Sequence, residues 1–322
     1  MGIIGVGEYL PDKILTNPDL EKMVDTSDEW ITTRTGIKTR RLASHNQAAS
    51  DLAINAAKEA LKDAQVQSAD LDLIIVATIT PDMQFPSTAC FVQNSLGAKR
   101  AAAFDISAAC AGFVYGLIIA QQFITCGTYK NALVVGSEVL SSITDWQDRN
   151  TCVLFGDGAG AAVLAPVESG GILSTYLGSD GSSGDLLMLP GGGSRSPATR
   201  QSIDNRLHYI KMRGNELFKI AVKIMTEAAQ EALKLAGLEC KDVDWVIPHQ
   251  ANTRILYNMA KKLGISKEKI FLNIDKYGNM SSASTATALC EAVKSNCIKK
   301  GDIVILDAFG GGLVWGACVI KW

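Results

Sequence analysis

Two stretches of this chain, 172 residues apart, read alike without a gap. Glu59-Ala60-Leu61-Lys62-Asp63-Ala64 is matched by Glu231-Ala232-Leu233-Lys234-Leu235-Ala236, and Asp70 and Asp72 are matched by Asp242 and Asp244. Each copy is the end of an amphipathic helix, a short Asp-x-Asp loop and then a β-rich run, Leu73-Ile74-Ile75-Val76 in one and Trp245-Val246-Ile247 in the other. Internal duplication of a βαβ-type half accounts for the constant offset, with the halves meeting near residue 170. So long a period excludes a solenoid, whose units run about 20 to 50 residues.

Other β-rich runs, Ala132-Leu133-Val134-Val135, Ala161-Ala162-Val163-Leu164 and Ile303-Val304-Ile305-Leu306, show little polar alternation. Strands of that kind are covered on both faces. Interleaved with helical patterns at 52–64, 111–124, 215–236 and 252–263, they imply a layered α/β architecture with at least one sheet between helices. The Gly-, Ser-, Pro- and Arg-rich segment 181–206 reads as a long irregular excursion. The glycines from Gly156 to Gly160 read as a tight structural turn, because the Lys-Ser/Thr of a phosphate loop and the full dinucleotide pattern are both missing.

Several function classes fall away on bulk grounds. A formal net charge of -2 over 322 residues gives no global attraction to nucleic acid or anionic lipid. The longest apolar stretch, Ala108 to Ala120, is shorter than the roughly 20 residues of a membrane helix. The eight cysteines are scattered, with no C-x-x-C pair and no histidine at zinc-ligand spacing, so reduced thiols and no metal site are expected. The opening residues lack a basic, then apolar leader pattern and read as a first strand. A cytoplasmic enzyme fits these traits.

The candidate chemistry starts at Cys110. It lies where an apolar strand turns into an apolar helix, and from Ile106 to Tyr129 no side chain is charged. A helix hydrophobic on all sides is buried, and its first turn offers unpaired N–H groups and a positive dipole end. A thiolate is favoured in such a place. Of three histidines, His45 sits in a polar stretch and His208 beside Arg206 and Tyr209, both surface settings. His249 instead closes the buried-looking run Trp245-Val246-Ile247-Pro248 where a helix begins, the position at which α/β proteins bind ligands. Asn279, in the turn Tyr277-Gly278-Asn279, supplies an amide able to donate to a developing oxyanion. A Cys, His and Asn set also serves papain-like proteases, but the local signature those enzymes carry around the cysteine is absent.

Four ordered motifs, Ala108-Ala109-Cys110-Ala111-Gly112-Phe113, Pro248-His249-Gln250-Ala251-Asn252, Gly278-Asn279-x-Ser281 and Phe309-Gly310-Gly311-Gly312-x-x-Trp315-Gly316, resemble those of β-ketoacyl-acyl-carrier-protein synthase III, of the thiolase superfamily. The likeness extends through Asp28-Glu29-Trp30-Ile31, Arg34-Thr35-Gly36-Ile37 and Phe155 to Ala161, nearly the whole chain. It implies a five-layered αβαβα sandwich of two duplicated halves, 1–169 carrying the cysteine and 170–322 carrying His249 and Asn279. The implied reaction is a decarboxylative Claisen condensation of a short acyl-CoA, most plausibly acetyl-CoA, with malonyl-acyl carrier protein. A related ketosynthase of secondary metabolism shares the same three residues.

The resemblance also implies roles residue by residue. Cys110 carries the acyl group; His249 and Asn279 stabilise the enolate; backbone N–H groups of Cys110 and Gly311 form the oxyanion hole. Trp30, Arg34, Arg149 and Asn215 contact CoA. Phe85 and Phe309 belong to the acyl pocket, Phe85 reaching across a homodimer. Lys219, Gln250, Arg254, Lys261 and Lys262 dock the acidic carrier protein, and Arg254, Asn258, Lys261 and Lys262 do fall on one face of a helix. No metal or cofactor is implied, acyl-CoA being a substrate. Met280 stands where the family usually has Thr, and the 191–200 loop is Gly- and Ser-rich; both bear on primer length.

Overall fold

Apolar runs without alternation end up as strands covered on both faces in the computed structural model, which describes residues 1–322. Up to Ala165 the chain forms strands β1 (Gly2–Tyr9), β2 (Lys13–Thr16), β3 (Thr39–Leu42), β4 (Leu73–Ala77), β5 (Ala102–Ile106), β6 (Ala132–Val139) and β7 (Asp157–Ala165). Its helices are α1 (Asn17–Glu21), α2 (Asp28–Thr35), α3 (Ala49–Ala64), α4 (Thr88–Leu96) and α5 (Gly112–Thr125). From Gly171 the strands are β8 (Gly171–Ser179), β9 (Leu187–Met188), β10 (Lys211–Met212), β11 (Trp245–Pro248), β12 (Ile303–Gly310) and β13 (Val314–Lys321). The helices there are α6 (Arg200–Asp204), α7 (Gly214–Ala236), α8 (Thr253–Leu263), α9 (Ile274–Tyr277) and α10 (Ser282–Lys294).

The repeat read in the sequence is a repeat of topology. One sheet runs β1-β7-β6-β4-β5 and the other β8-β13-β12-β11. In each, two antiparallel pairs (β1 with β7 and β7 with β6; β8 with β13 and β13 with β12) lead into a parallel pair (β6 with β4; β12 with β11), and the larger sheet adds β5 parallel to β4. The register repeats too: Leu73 faces Ala132, and Trp245 faces Val304, both partners shifted by the same 172 residues. Helices α3 and α7 both stop on a left-handed cap, Gln65 at φ 54° and Gly237 at φ 69°, again at that offset. Glycine adopts this conformation freely and glutamine does so at a cost, so the geometry is retained where the residue is not.

Burial sorts the elements into five layers. Helices α3 and α4 cover one face of the five-stranded sheet through Leu52, Ala56, Ala60 and Val92. Helices α7 and α8 cover the outer face of the four-stranded sheet through Val222, Met225, Leu256 and Met259. Between the sheets lie α5 and α10, whose Phe113, Leu117, Ala288 and Leu289 pack against Ile75, Val134, Ile247 and Leu306. This explains why α5 carries no charge up to Ala120: neither side of that stretch is exposed, and water is met only in the last turn, at Gln122 and Thr125. Each fully buried Phe or Leu there contributes roughly 1.5–3 kcal/mol. The Gly156–Gly160 run departs from the turn expected of it. From Asp157 it is strand β7, paired on both edges, because a Cβ on Gly160 would stand 2.5 Å from Ala286 and only glycine lets α10 approach so closely. The 181–206 excursion is irregular but holds β9 and α6.

Candidate active site

Strand β5 delivers Cys110 to the centre of the molecule through a 3-10 turn, Ala109–Ala111, that precedes α5. Ala109 sits at φ 42°, a left-handed conformation that costs an alanine about 1–3 kcal/mol and collects at functional turns. Behind this turn runs the end of β12. A Cβ on Gly310 would lie 2.6 Å from the Cys110 backbone nitrogen, so any other residue would push the Cys110 turn away. Cys110 opens onto a cavity of about 490 Å3 with a mainly apolar wall, including Leu140, Ile143, Phe155, Leu187, Ile210 and Val314. Ser281, Gly311 and Gly312 share that wall.

Burial changes what the sequence suggested about the thiol. It pushes Cys110 up to about 12, and the Ser281 hydroxyl draws it down. The resting group is therefore a thiol: Cys110 precedes the helix proper by a turn, and loss of water outweighs the helix end.

His249 follows β11, its N–H donating to Asp307 O at 2.7 Å. It is 1% exposed, and burial pushes its imidazole down to about 3. At neutral pH the ring carries one N–H and no charge, and Nδ1 has no partner within the chain. Asn279 is pinned by its backbone, with N donating to Leu154 O at 2.8 Å and O accepting from Gly156 N at 3.0 Å. Its Oδ1 accepts from Ser281 N at 2.8 Å, which turns the amide and leaves the Nδ2 donor end for another acceptor. Ser281 itself is held at φ 46°. Cys110 thus lies beyond the carboxyl end of β5, His249 beyond that of β11 and Asn279 in the turn before α10, the kind of place where α/β proteins bind ligands.

The remaining expected residues divide. Trp30 is flanked by two guanidinium groups, Arg149 at 4.8 Å and Arg34 at 5.4 Å from its ring, with Arg149 also 3.2 Å from Asp25. This cluster is tied to the His249 loop by Asn252 Nδ2 donating to Arg34 O at 2.9 Å. Asn215 is exposed in the first turn of α7, after Arg213, whose N–H donates to Leu186 O beside the cavity wall. Arg254, Lys261, Lys262 and Lys219 are exposed, and Arg254 lies 5.3 Å over Phe218, next to Lys219.

Gln250 does not belong with them. It is fully buried; its amide donates to Pro248 O and Phe271 O and accepts from Asn273 N, so it braces the His249 loop and presents nothing to a partner. Phe309 is likewise off the cavity wall, because its strand alternation turns it toward Ile255, Ile305 and Ala317 under α7 and α8. Phe85 is 84% exposed and stands off the Cys110 cavity wall; the neighbouring Gln84 anchors its loop to Gly192 O at 2.8 Å. His45 is exposed, and His208 packs against Tyr209 with ring centroids 4.0 Å apart. Sequence reading missed Glu138 and Ser282, buried behind Cys110. A lone acid in the run from Ala132 to Leu140 was the available signal.

Comparison with known proteins agrees with this geometry. A family described as 3-oxoacyl-[acyl-carrier-protein (ACP)] synthase III matches residues 104–181, and its C-terminal counterpart matches residues 233–322. The chain is 61% identical to beta-ketoacyl-[acyl-carrier-protein] synthase III of Caldanaerobacter subterraneus, over 100% of this chain and 97% of that protein. The crystal structure of 3-oxoacyl-[acyl-carrier-protein] synthase III from Aquifex aeolicus matches with a TM-score of 0.93 and 52% identity, covering 100% of this chain and 99% of that one. The priming beta-ketosynthase of the R1128 polyketide biosynthetic pathway matches equally well in shape, TM-score 0.93, at 34% identity over 99% and 95% of the two chains.

Proposed function

Because the chain belongs to the β-ketoacyl-acyl-carrier-protein synthase III family, acyltransferases that start fatty acid synthesis by condensation, we propose the following division of labour among its residues. The Cys110 sulfur attacks the thioester carbon of a short acyl-CoA, most plausibly acetyl-CoA. The tetrahedral oxyanion is held by N–H groups of Cys110 and Gly311. It collapses to an acyl-Cys110 thioester, and CoA leaves with the proton that Cys110 gave up. Malonyl-acyl carrier protein then loses CO2. Neutral His249 and the Nδ2 end of Asn279 donate hydrogen bonds to its thioester oxygen as the enolate forms. The enolate carbon attacks acyl-Cys110, releasing 3-ketoacyl-carrier protein and returning the cysteine.

The observation that carries this reading is the burial of His249, 1% exposed, which keeps its ring neutral. A histidine that burial holds near 3 is an uncharged donor across the physiological range, suited to an enolate oxygen and unsuited to taking the Cys110 proton. CoA is held through Trp30, Arg34, Arg149 and Asn215, and the carrier protein by Arg254, Lys261, Lys262 and Lys219. The thioester chemistry asks for no resident cofactor. A homodimer is favoured by the unpaired edge of β5, with Phe85 and the half-exposed Met83 displayed nearby for a second copy to cover. No helix is long and apolar enough to cross a membrane, and the enzyme works in the cytoplasm on soluble substrates. Identity of 61% to a beta-ketoacyl-[acyl-carrier-protein] synthase III, against 34% to the polyketide priming enzyme, favours primary metabolism.

Labelled acetyl-CoA should add one acetyl group at Cys110 in the wild-type protein and none in Cys110→Ser, with condensation falling by about 10³-fold or more. Equal labelling of the Ser variant at another residue would overturn the assignment.

A further inference from the structure

Glu138 is fully buried behind the nucleophile, and its surroundings fix more than its position. Its Oε2 accepts from the Thr80 hydroxyl at 2.7 Å, the Ile79 N–H at 3.1 Å and the Thr78 hydroxyl at 3.3 Å. Its Oε1 faces Ser282 Oγ at 3.0 Å, and that same Oγ lies 2.7 Å from Ala77 O. A serine hydroxyl has one hydrogen. Ala77 O can only accept, so at 2.7 Å the Ser282 hydrogen points there. The contact between Ser282 Oγ and Oε1 is then a hydrogen bond only if Oε1 brings the proton; with an ionised carboxylate, two oxygen lone pairs would oppose each other at 3.0 Å.

We propose that Glu138 is held as a neutral carboxylic acid, its proton on Oε1 donated to Ser282 Oγ, so that no negative charge stands behind Cys110. The groups facing it are hydroxyls and one amide from the segment after β4 and from the start of α10, and the titratable side chain among its neighbours is Cys110; no lysine, arginine or histidine faces it. Burial in such a place raises a carboxyl, in keeping with the hydrogen count. The consequence is electrostatic. An ionised Glu138 would oppose the Cys110 thiolate and the oxyanions that follow, whereas the neutral acid leaves them to the oxyanion donors. Glu138 is in this sense a positioning residue for charge, and its role rests on the reading of Cys110 as nucleophile.

Glu138→Gln tests this because an amide reproduces the pattern of the neutral acid, donor toward Ser282 and acceptor toward Thr80. Alkylation of Cys110 by iodoacetamide, followed by peptide mass spectrometry across pH, should give the same profile for wild type and Gln variant, and Glu138→Ala should be slower in acylation with Gln restoring it. If Glu138 is ionised, removing its charge will speed Cys110 alkylation at pH 7 by about tenfold, one pKa unit, and the proposal fails. Infrared spectra of the wild type with glutamate labelled at the side-chain carboxyl provide an arm independent of any variant's folding. A protonated-acid C=O band persisting at pH 9 supports the proposal, and its absence overturns it. That band reports the Glu138 proton whether or not Cys110 is acylated, so failure of the acyl-enzyme reading and failure of this one are separate results.

Discussion

The two sheets present the same ends to the middle of the molecule and fill them differently. At the 172-residue offset, Ala77 at the end of β4 corresponds to His249 after β11, and Glu138 near the end of β6 corresponds to Gly310 at the end of β12. The central helices approach these ends crosswise. The turn before α5 presses Cys110 onto Gly310, while the start of α10 presses Ser282 onto Ala77 and Glu138. One crossing is open, with glycine against the backbone, a histidine at the adjacent strand end and a cavity in front. The other is closed by a carboxyl, three hydroxyls and no space. The repeated topology offers two equivalent places for chemistry; on the reading proposed above, one holds the site and the other supports it. The outer helices diverge in the same sense, since α8 after β11 carries Arg254, Lys261 and Lys262 and α4 after β4 has no charged residue.

The sharpest way to break this comparison is to make the open crossing resemble the closed one. His249→Ala puts at β11 the residue that β4 already has, and Asn279→Ala removes the second donor. Each should slow malonyl decarboxylation by about 10²- to 10³-fold, the usual loss for one oxyanion donor. Acyl transfer from acyl-CoA to Cys110 should continue in both, measured by mass added to the protein. Equal loss of both half-reactions would mean that the donors shape the cysteine's turn and do not act on malonyl.

Gly310→Ala adds a single methyl at the open crossing. Its carbon would stand 2.6 Å from Cys110 N and 3.2 Å from Cys110 Cβ, so the turn carrying Ala109 at φ 42° must move. Overpacking of this kind costs about 1–3 kcal/mol, and a displaced oxyanion donor adds a loss in rate. The expectation is a fall in unfolding midpoint together with at least about tenfold slower self-acylation. Unchanged acylation in a destabilised variant would show that the Cys110 turn does not lean on β12.

Much of this asymmetry is legible in the amino-acid sequence. The offset repeat marks the shared topology of the two sheets, and the apolar runs mark strands covered on both sides, because burial on both faces erases polar alternation. Cys110, His249 and Asn279 stood out as rare residue types at the ends of periodic segments. Gln250 and Phe309 were misplaced for a common reason: a motif says which residues are neighbours in sequence, whereas strand alternation and loop bracing decide which way a side chain points. The Gly156–Gly160 run was read as a turn because a glycine run signals one locally, while its real cause is a helix 2.5 Å from where a side chain would begin. Glu138 escaped notice because its meaning lies in hydrogen bonds to residues 58 to 144 positions away.

The smallest expected effect lies at the seam where the halves touch outside the site. Glu8 of β1 is largely buried against α10, facing Glu291 and Lys294, with Glu59 of α3 and Lys276 nearby. Burial first, and then the repulsion of Glu291, raises its carboxyl to about 7 from the ordinary 4.5. The folded state therefore prefers Glu8 protonated. Its contribution to stability is whole below pH 4.5, declines as the pH rises from 4.5 to 7 while the unfolded chain ionises and the folded one does not, and stays lost above. The shift corresponds to on the order of 2 kcal/mol once partial solvation is allowed for. Glu8→Gln removes the titrating group and keeps its size, so thermal unfolding should be unchanged at pH 4.5 and raised by a few degrees at pH 8. Neither Cys110 labelling nor its pH profile should change, because the seam bears on how firmly the halves are joined and not on which crossing is open. A variant equally stabilised at both pH values would mean that Glu8 is ionised throughout and that Lys294 and Lys276 already neutralise it.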